Sequence, residues 1–189
     1  MKYLLLILML LPTSIKAAPV ESEPAVIIRE FTPVTSIFML MAISTALRNQ
    51  AAVTLIIDSR GGVYEPSSEA ILDLVATNSP RVTCLVHGQA SSLAASLLTR
   101  CGTRLATPGS RILWHGIRSI GMMTIDQFRA KAIYEQFVID DLYLWAPLYH
   151  IYKGREDWVL KHMQAETMHR AEDLPDLVTI IPEGVMNAK

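Results

Sequence analysis

The sequence predicts an α/β fold built on a mostly parallel sheet. Short apolar runs rich in β-branched residues alternate with longer helical patterns, at Val53–Ile57, Pro66–Thr77, Val82–Val86 and Leu93–Arg100. Strands that alternate with helices pair in parallel through right-handed crossovers. Apolar residues make up 51% of the chain, which supports a packed globule.

The chain opens with a segment typical of a secretory signal peptide. Lys2 precedes an apolar run of about ten residues, which is too short for a bilayer span of about 20. The small residues Ala17 and Ala18 follow, as at a signal-peptide cleavage site. We predict a signal peptide over residues 1–18, a single mature domain over 19–189, and a periplasmic or secreted location. An uncleaved N-terminal anchor is the alternative. Loss of Lys2 and Lys16 changes the formal charge from -1 to -3, which gives no reason to expect a nucleic-acid partner.

The other elements follow in chain order from the same periodicities and from the turn and capping residues between them. A Pro/Glu-rich linker precedes a strand over Ala25–Glu30 and an apolar helix over Thr35–Asn49. The second half of the chain adds strands over Thr103–Thr107, Arg111–His115 and Val178–Ile181, and helices over Thr124 to about Trp145 and Arg155–Gln164. Pro147 is expected to end or kink the longer helix.

Two cysteines lie on either side of one predicted strand-to-helix connection. Cys84 falls in the strand and Cys101 at the end of the helix that follows it. Because a helix lies about 10 Å from the element beneath it, and a disulfide needs Cα atoms within about 7 Å, we expect two buried thiols. A disulfide is the alternative.

The stretch His87–Ser96 places a serine where a strand turns into a helix. The first turn of a helix offers unpaired N–H groups and a positive dipole end, and both stabilise developing negative charge. Gly88 and Ala90 allow a substrate backbone to approach closely. This position suits a nucleophile, although a serine there is also a common N-cap.

Three motifs in register resemble the proteolytic subunit of the Clp protease, in the ClpP/crotonase superfamily. They are Ser59-Arg-Gly-Gly62, Gly88-Gln-Ala-Ser-Ser92 with Leu97-Leu-Thr99 beyond it, and Ser110-Arg-Ile-Leu-Trp-His115. The likeness runs from about Ala25 to about Ile181. It implies a ClpP/crotonase-like fold with repeated ββα units and a protruding handle helix.

The resemblance also implies a catalytic triad. It assigns the nucleophile to Ser92 and the general base to His115, and it puts Glu166 where the family has an orienting Asp. Asp173 and Asp157 are the fallback acids.

The same resemblance assigns the oxyanion hole to two backbone N–H groups, those of Gly62 and Leu93. One extra residue between the Gly-Gly pair and the serine leaves open whether Gly61 or Gly62 is the donor. Gly61, Gly116 and Ile117 are the expected substrate-binding residues. The chain departs from the family at Gly116–Gly121, where Gln-Pro and paired glycines are missing.

The remaining candidates have simpler explanations. His87 is more easily placed beside the turn than as a base, and His169 is expected at the surface. Tyr152 and Trp158 are expected in the core or at an interface. The histidines show no metal-ligand spacing with carboxylates or cysteines, so neither a metal nor a cofactor is expected.

The predicted function is that of an exported, ATP-independent serine endopeptidase that acts on peptides or unfolded proteins. No ATPase partner is expected outside the cytoplasm. The apolar handle helix predicts a homo-oligomer, a ring by resemblance, with Phe128, Phe137 or Trp145 at an interface. The alternatives are a catalytically inactive assembly or binding protein on the same scaffold, and a crotonase-type acyl-CoA enzyme, which needs no Ser/His pair.

Overall fold

The computed structural model describes residues 24–116 and 127–182, with the side chains of 127–134 excepted. The signal segment predicted over 1–18 lies outside these residues. The strands are β1 (Ala25–Ile28), β2 (Val53–Ser59), β3 (Val82–Ser91), β4 (Thr103–Ala106), β5 (Arg111–Leu113), β6 (His169–Arg170) and β7 (Thr179–Ile180). The helices are α1 (Pro33–Asn49), α2 (Pro66–Thr77), α3 (Leu93–Arg100), α4 (Gln127–Ile151) and α5 (Glu156–Ala165). Short 3-10 turns lie at Ser79–Arg81 and Ala171–Asp173.

The strands form one sheet that is mixed but mostly parallel, as predicted. β1, β2, β3, β4 and β7 are hydrogen-bonded in that order and run parallel. β5 runs parallel to the end of β3, and β6 pairs antiparallel with β5. β6 was not predicted from the sequence, because a strand of two residues has no periodicity to detect.

β3 is longer than predicted because it continues through the glycine that was expected to begin a turn. Its first half, up to Val86, pairs with β4, whereas Gln89–Ser91 pair with β5. Gly88 lies between the two halves at φ +118, and the Asp58 carboxylate occupies the place of a side chain there. Gly88 therefore bends the strand away from β4 and toward β5, instead of ending it.

The helices preceding and following β3 have the predicted bounds, whereas α1 begins two residues early. The Thr32 hydroxyl accepts the N–H of Thr35, and Pro33 occupies the first turn, where its missing N–H costs nothing. Thr32 is thus the N-cap, and the helix starts directly after it.

α4 runs through Pro147 to Ile151, whereas the sequence predicts an end near Trp145. A proline in a helix leaves the carbonyl four residues earlier without its N–H partner. That carbonyl belongs to Tyr143, and the Arg100 guanidinium supplies the missing donor through Nη2 at 2.7 Å. Arg100 is only 6% exposed, and its Nη1 also donates to the Leu144 carbonyl at 3.1 Å. A side chain of α3 thus holds α4 together at the proline.

Cys84 and Cys101 form a disulfide, so the expectation of two thiols was wrong. Their Cα atoms lie 5.8 Å apart. The 10 Å separation used in that expectation applies to a residue on the helix, whereas α3 ends at Arg100. Cys101 is already in extended backbone on the way to β4, which pairs with Cys84's own strand.

The C-terminal half of α4 belongs to the core of the subunit. Trp145 is 2% exposed, so the prediction that named it among the candidate interface residues was wrong for this side chain. Phe137 is half-buried, and the Phe128 side chain lies outside the described residues. The described part of α4 exposes three large apolar side chains, Val138, Ile139 and Leu142.

None of the helices in the described residues combines the length and the hydropathy that crossing a membrane requires.

Candidate active site

Ser92 occupies the junction between β3 and α3 in a conformation that L-residues rarely adopt. Its φ is 54 and its ψ is -123. Its N–H donates to the Leu113 carbonyl of β5 at 2.9 Å, and its carbonyl accepts the N–H groups of Ala95 and Ser96. The side chain makes no capping hydrogen bond to the helix. The hydroxyl therefore does not act as an N-cap, and the turn presents it at the end of the strand.

Gly61 packs directly against this turn. A Cβ atom on Gly61 would lie 2.7 Å from the Ser91 carbonyl oxygen, 2.7 Å from the Ser92 Cβ and 3.1 Å from the Leu93 nitrogen. The loop after β2 approaches the serine this closely only because the residue is glycine.

The structure distinguishes the two glycines as backbone donors. The N–H of Gly61 donates to the Ser59 hydroxyl at 3.0 Å. The N–H groups of Gly62 and Leu93 have no acceptor among the described residues. Of the two glycines, Gly62 is therefore the one whose N–H is without an acceptor in the described part of the chain, whereas Gly61 supplies the close approach. The assignment of Gly62 and Leu93 to an oxyanion hole remains a prediction.

His115 follows β5, two residues beyond the point where Leu113 pairs with Ser91. Its Nδ1 lies 2.6 Å from the Gly116 carbonyl oxygen. A carbonyl only accepts, so Nδ1 carries the proton, and in the neutral ring Nε2 has a free lone pair. That is the tautomer a base for a serine hydroxyl requires. Within the described residues, no hydrogen bond joins the His115 and Ser92 side chains.

Glu166 lies directly after α5 in the left-handed conformation, and it is exposed. β6 pairs with β5 in an antiparallel register that sets His169 opposite Ile112. The pairing ends there, and Glu166 is in the left-handed conformation at the end of α5 and not in a strand, so this register does not itself set Glu166 against His115. The fallback acids lie elsewhere, Asp157 in the first turn of α5 and Asp173 in the turn after β6.

Of the predicted substrate-binding residues, Gly61 and Gly116 are described and Ile117 lies outside the described residues. Gly116 directly follows His115. A Cβ on Gly116 would lie 3.2 Å from Oδ2 of Asp141 on α4. No local pattern in the sequence predicts this approach, because the two residues are distant in the chain.

His169 is buried against Trp114, so the expectation that it lies at the surface was wrong. The two rings stack with centroids 4.7 Å apart and an interplanar angle of 13°. Strand β6 turns the side chain inward, and because the strand itself was missed, its inward face was missed too. His87 is exposed beside the bend of β3, with Nδ1 3.4 Å from the Thr107 hydroxyl.

The described residues contain no group of three or more His, Cys, Asp or Glu side chains placed to hold a metal ion.

Comparison with known proteins agrees with the fold. The family model described as Clp protease matches residues 30–135, which include Gly62, Ser92 and His115. No curated protein matches the chain. A match over more than half of the chain, together with a mostly parallel α/β sheet of the ClpP/crotonase type, shows that this protein belongs to the Clp protease family.

Proposed function

We propose that the protein is an exported, ATP-independent serine endopeptidase that cleaves peptides or unfolded proteins. The observation that carries the proposal is the junction at Ser92. There a serine with strained backbone presents a hydroxyl that does not cap its helix, beside two N–H groups without acceptors among the described residues. Nucleophilic serines at strand-to-helix turns have this geometry.

In the proposed reaction, Ser92 Oγ attacks the peptide carbonyl while Nε2 of His115 takes its proton. The N–H groups of Gly62 and Leu93 bind the oxyanion. The C–N bond then breaks, and the proton passes from Nε2 to the leaving amine. Water, deprotonated by His115 in the same way, hydrolyses the acyl-enzyme. Glu166 orients the imidazole and faces its positive charge.

In this structure the Nδ1–H of His115 donates a hydrogen bond to the Gly116 carbonyl oxygen. The proposal therefore requires the imidazole to turn toward Glu166 when substrate binds. Hydrogen bonds of catalytic groups often tighten only in the substrate complex. The Gly116 contact is also the observation that favours the alternative, a catalytically inactive assembly or binding protein.

The disulfide supports the proposed export, because disulfides persist in oxidising compartments and are rare in the cytosol. In such a compartment the proposed partner is an unfolded chain or a peptide, without an ATPase. We further propose that a signal peptide over residues 1–18 is removed, so that secreted protein begins near Ala18 or Pro19. Mass spectrometry of the N-terminus tests this, and a cytoplasmic protein that retains Met1 would contradict it.

Hydrolysis of an unstructured fluorogenic peptide tests the activity. Ser92→Ala and His115→Ala should each lose activity by a comparable factor, and the double variant should lose no more, because triad members act as a unit. Ser91→Ala is the matched control, since Ser91 is buried and its hydroxyl accepts from Gln89 Nε2. Undiminished hydrolysis by Ser92→Ala, purified free of other peptidases, would refute the proposal.

A further inference from the structure

Five aromatic and imidazole rings form a buried to half-buried cluster behind the proposed site. They are those of Trp114, Tyr152, Trp158, His162 and His169, which we call the ring cluster. Neighbouring centroids lie 4.3–6.4 Å apart. The proposed chemistry uses none of these side chains.

The ring cluster joins the segment of the proposed base to that of the proposed acid. Trp114 directly precedes His115, and His169 lies three residues after Glu166. The stacked pair Trp114–His169 lies beside the pairing of β5 with β6, since Trp114 directly follows β5 and His169 is the first residue of β6. The indole Nε1 of Trp114 also donates to the Val159 carbonyl of α5 at 3.4 Å. A displacement of His169 would therefore change the separation between His115 and Glu166.

His169 is held in surroundings that favour its neutral ring. It is 9% exposed, and its buried Nε2 has no hydrogen-bond partner among the described residues. Burial lowers the pKa of His169, His162 on α5 lowers it further, and Asp173 in the following turn opposes them. From the other side, the Arg155 guanidinium lies over the rings of Tyr152 and Trp158.

We propose that His169 is a positioning residue, whose neutral ring holds Trp114 and thereby the His115–Glu166 pair, and whose protonation releases them. The proposal builds on the proposed peptidase function. A proton on His169 places an imidazolium between an indole and a second imidazole, with no acceptor within reach of Nε2 in the described residues. Such a charge is stable only if the ring moves toward water.

The sign of the pH effect follows from the direction of the shift. Since the pKa of His169 is lowered on folding, its neutral ring stabilises the cluster above the ordinary value of 6.5. That stabilisation is lost as the pH falls below 6.5 toward the lower pKa of the folded protein. Acidification therefore releases Trp114 and the His115–Glu166 pair, so that the ring cluster acts as an acid switch.

The first test is independent of catalysis. Nuclear magnetic resonance of the three tryptophan indole N–H signals should be recorded against pH on the Ser92→Ala protein. The Trp114 signal should titrate with a midpoint below 6.5, while that of Trp145 in the core should not follow it. In Ser92→Ala/His169→Phe the Trp114 titration should disappear. A Trp114 signal that does not titrate in Ser92→Ala would overturn the proposal.

The second test links the cluster to the reaction. His169→Ala should lower kcat by about 10- to 100-fold, since small misplacements of reacting groups cost rate on that scale. His169→Phe, which keeps a ring but cannot be protonated, should restore most of kcat at neutral pH. On the acid side of the pH profile, the slope of log(kcat/KM) against pH should also decrease by one in this variant, because one inactivating protonation is removed.

The control is His150→Phe, an exposed position on α4 outside the ring cluster, which should match the wild type. Wild-type kcat and an unchanged pH profile in His169→Ala would overturn the positioning role. If the wild type does not hydrolyse peptides, the peptidase proposal fails, and the positioning role fails with it. The indole titration then still decides whether the cluster is an acid switch.

Discussion

At Ser92 the backbone adopts a conformation that costs free energy, and at Gly61 one that glycine adopts readily and other residues do not. A non-glycine residue at the φ of Ser92 costs about 1–3 kcal/mol, which the surrounding contacts must offset. Gly61 is part of those surroundings, at φ +95 against the serine turn. Sites that hold such strain in a fixed geometry are frequently functional.

Gly61→Ala should therefore lower the free energy of unfolding and remove activity. The new Cβ would meet the Ser91 carbonyl and the Ser92 Cβ at 2.7 Å, so the loop or the serine must move. We expect a loss of about 2–4 kcal/mol in urea unfolding, the sum of backbone strain and overpacking. Gly109→Ala is the matched control, because Gly109 also has positive φ, at +77, but nothing within 4 Å. Equal losses for the two variants would contradict the close packing at Gly61.

At the residue scale, the family resemblance assigned roles to the serine, the glycines and the histidine because these belong to short contiguous motifs, and those roles remain predictions. The motifs did not identify the surroundings of His115. His169 stacks on Trp114, and Asp141 lies against Gly116. Each contact joins segments that are distant in the chain, and no local periodicity marks it. Glu166 came from the resemblance and lies outside the residues that the family model matches. Its role as the third triad member remains a prediction.

At the scale of elements, α4 depends on a side chain from α3. The helix continues past Pro147 because Arg100 donates to the carbonyls of Tyr143 and Leu144. The sequence predicted a helix end near this proline because propensity rules contain no donor from another element. The bounds of α2 and α3 were predicted correctly, because local signals mark them: the cap at Glu65 and apolar periodicity for α2, and a run of small and apolar residues for α3.

Removing the guanidinium should destabilise the fold in a way that a second substitution partly repairs. Arg100→Met should cost about 3 kcal/mol, because it leaves the Tyr143 carbonyl buried without a donor. Pro147→Ala restores the helix N–H to that carbonyl. In the Pro147→Ala background, the cost of Arg100→Met should therefore fall by about 1 kcal/mol or more. Urea unfolding of the wild type, the two single variants and the double variant measures this coupling. Strictly additive losses would show that the Arg100 guanidinium does not compensate for the N–H that Pro147 lacks.

For the whole molecule, the sequence predicted one α/β domain with a mostly parallel sheet, and the structure confirms this fold. The alternation of strands and helices determined it, since parallel crossovers leave few other arrangements. The order of pairing at β5 and β6 was not predictable, because β3 divides its pairing between two neighbours at Gly88. That division brings β5, which His115 follows by two residues, alongside the end of β3 that precedes Ser92.

The assembly is still predicted to be a homo-oligomer, but its expected contact moves from Trp145 to the apolar side chains exposed on α4. Val138, Ile139 and Leu142 are exposed on α4, whereas Trp145 belongs to the core. Ile139 is 59% exposed, and its full burial at an interface would contribute about 1–2 kcal/mol per copy. Ile139→Asp should thus lower the mass in solution, measured by light scattering. Gln136→Asp, an exposed polar position on the same helix, is the control. A monomeric wild type at tens of micromolar would end this prediction.

The most direct test of the central claim is labelling with a tagged fluorophosphonate, followed by peptide mapping. This reagent reacts with a serine whose proton a base removes and whose product an oxyanion hole stabilises. The account predicts one label, on Ser92, which disappears in Ser92→Ala and after unfolding and is strongly reduced in His115→Ala. A folded wild-type protein that takes up no label at Ser92, or takes it up equally at other serines, would contradict the account.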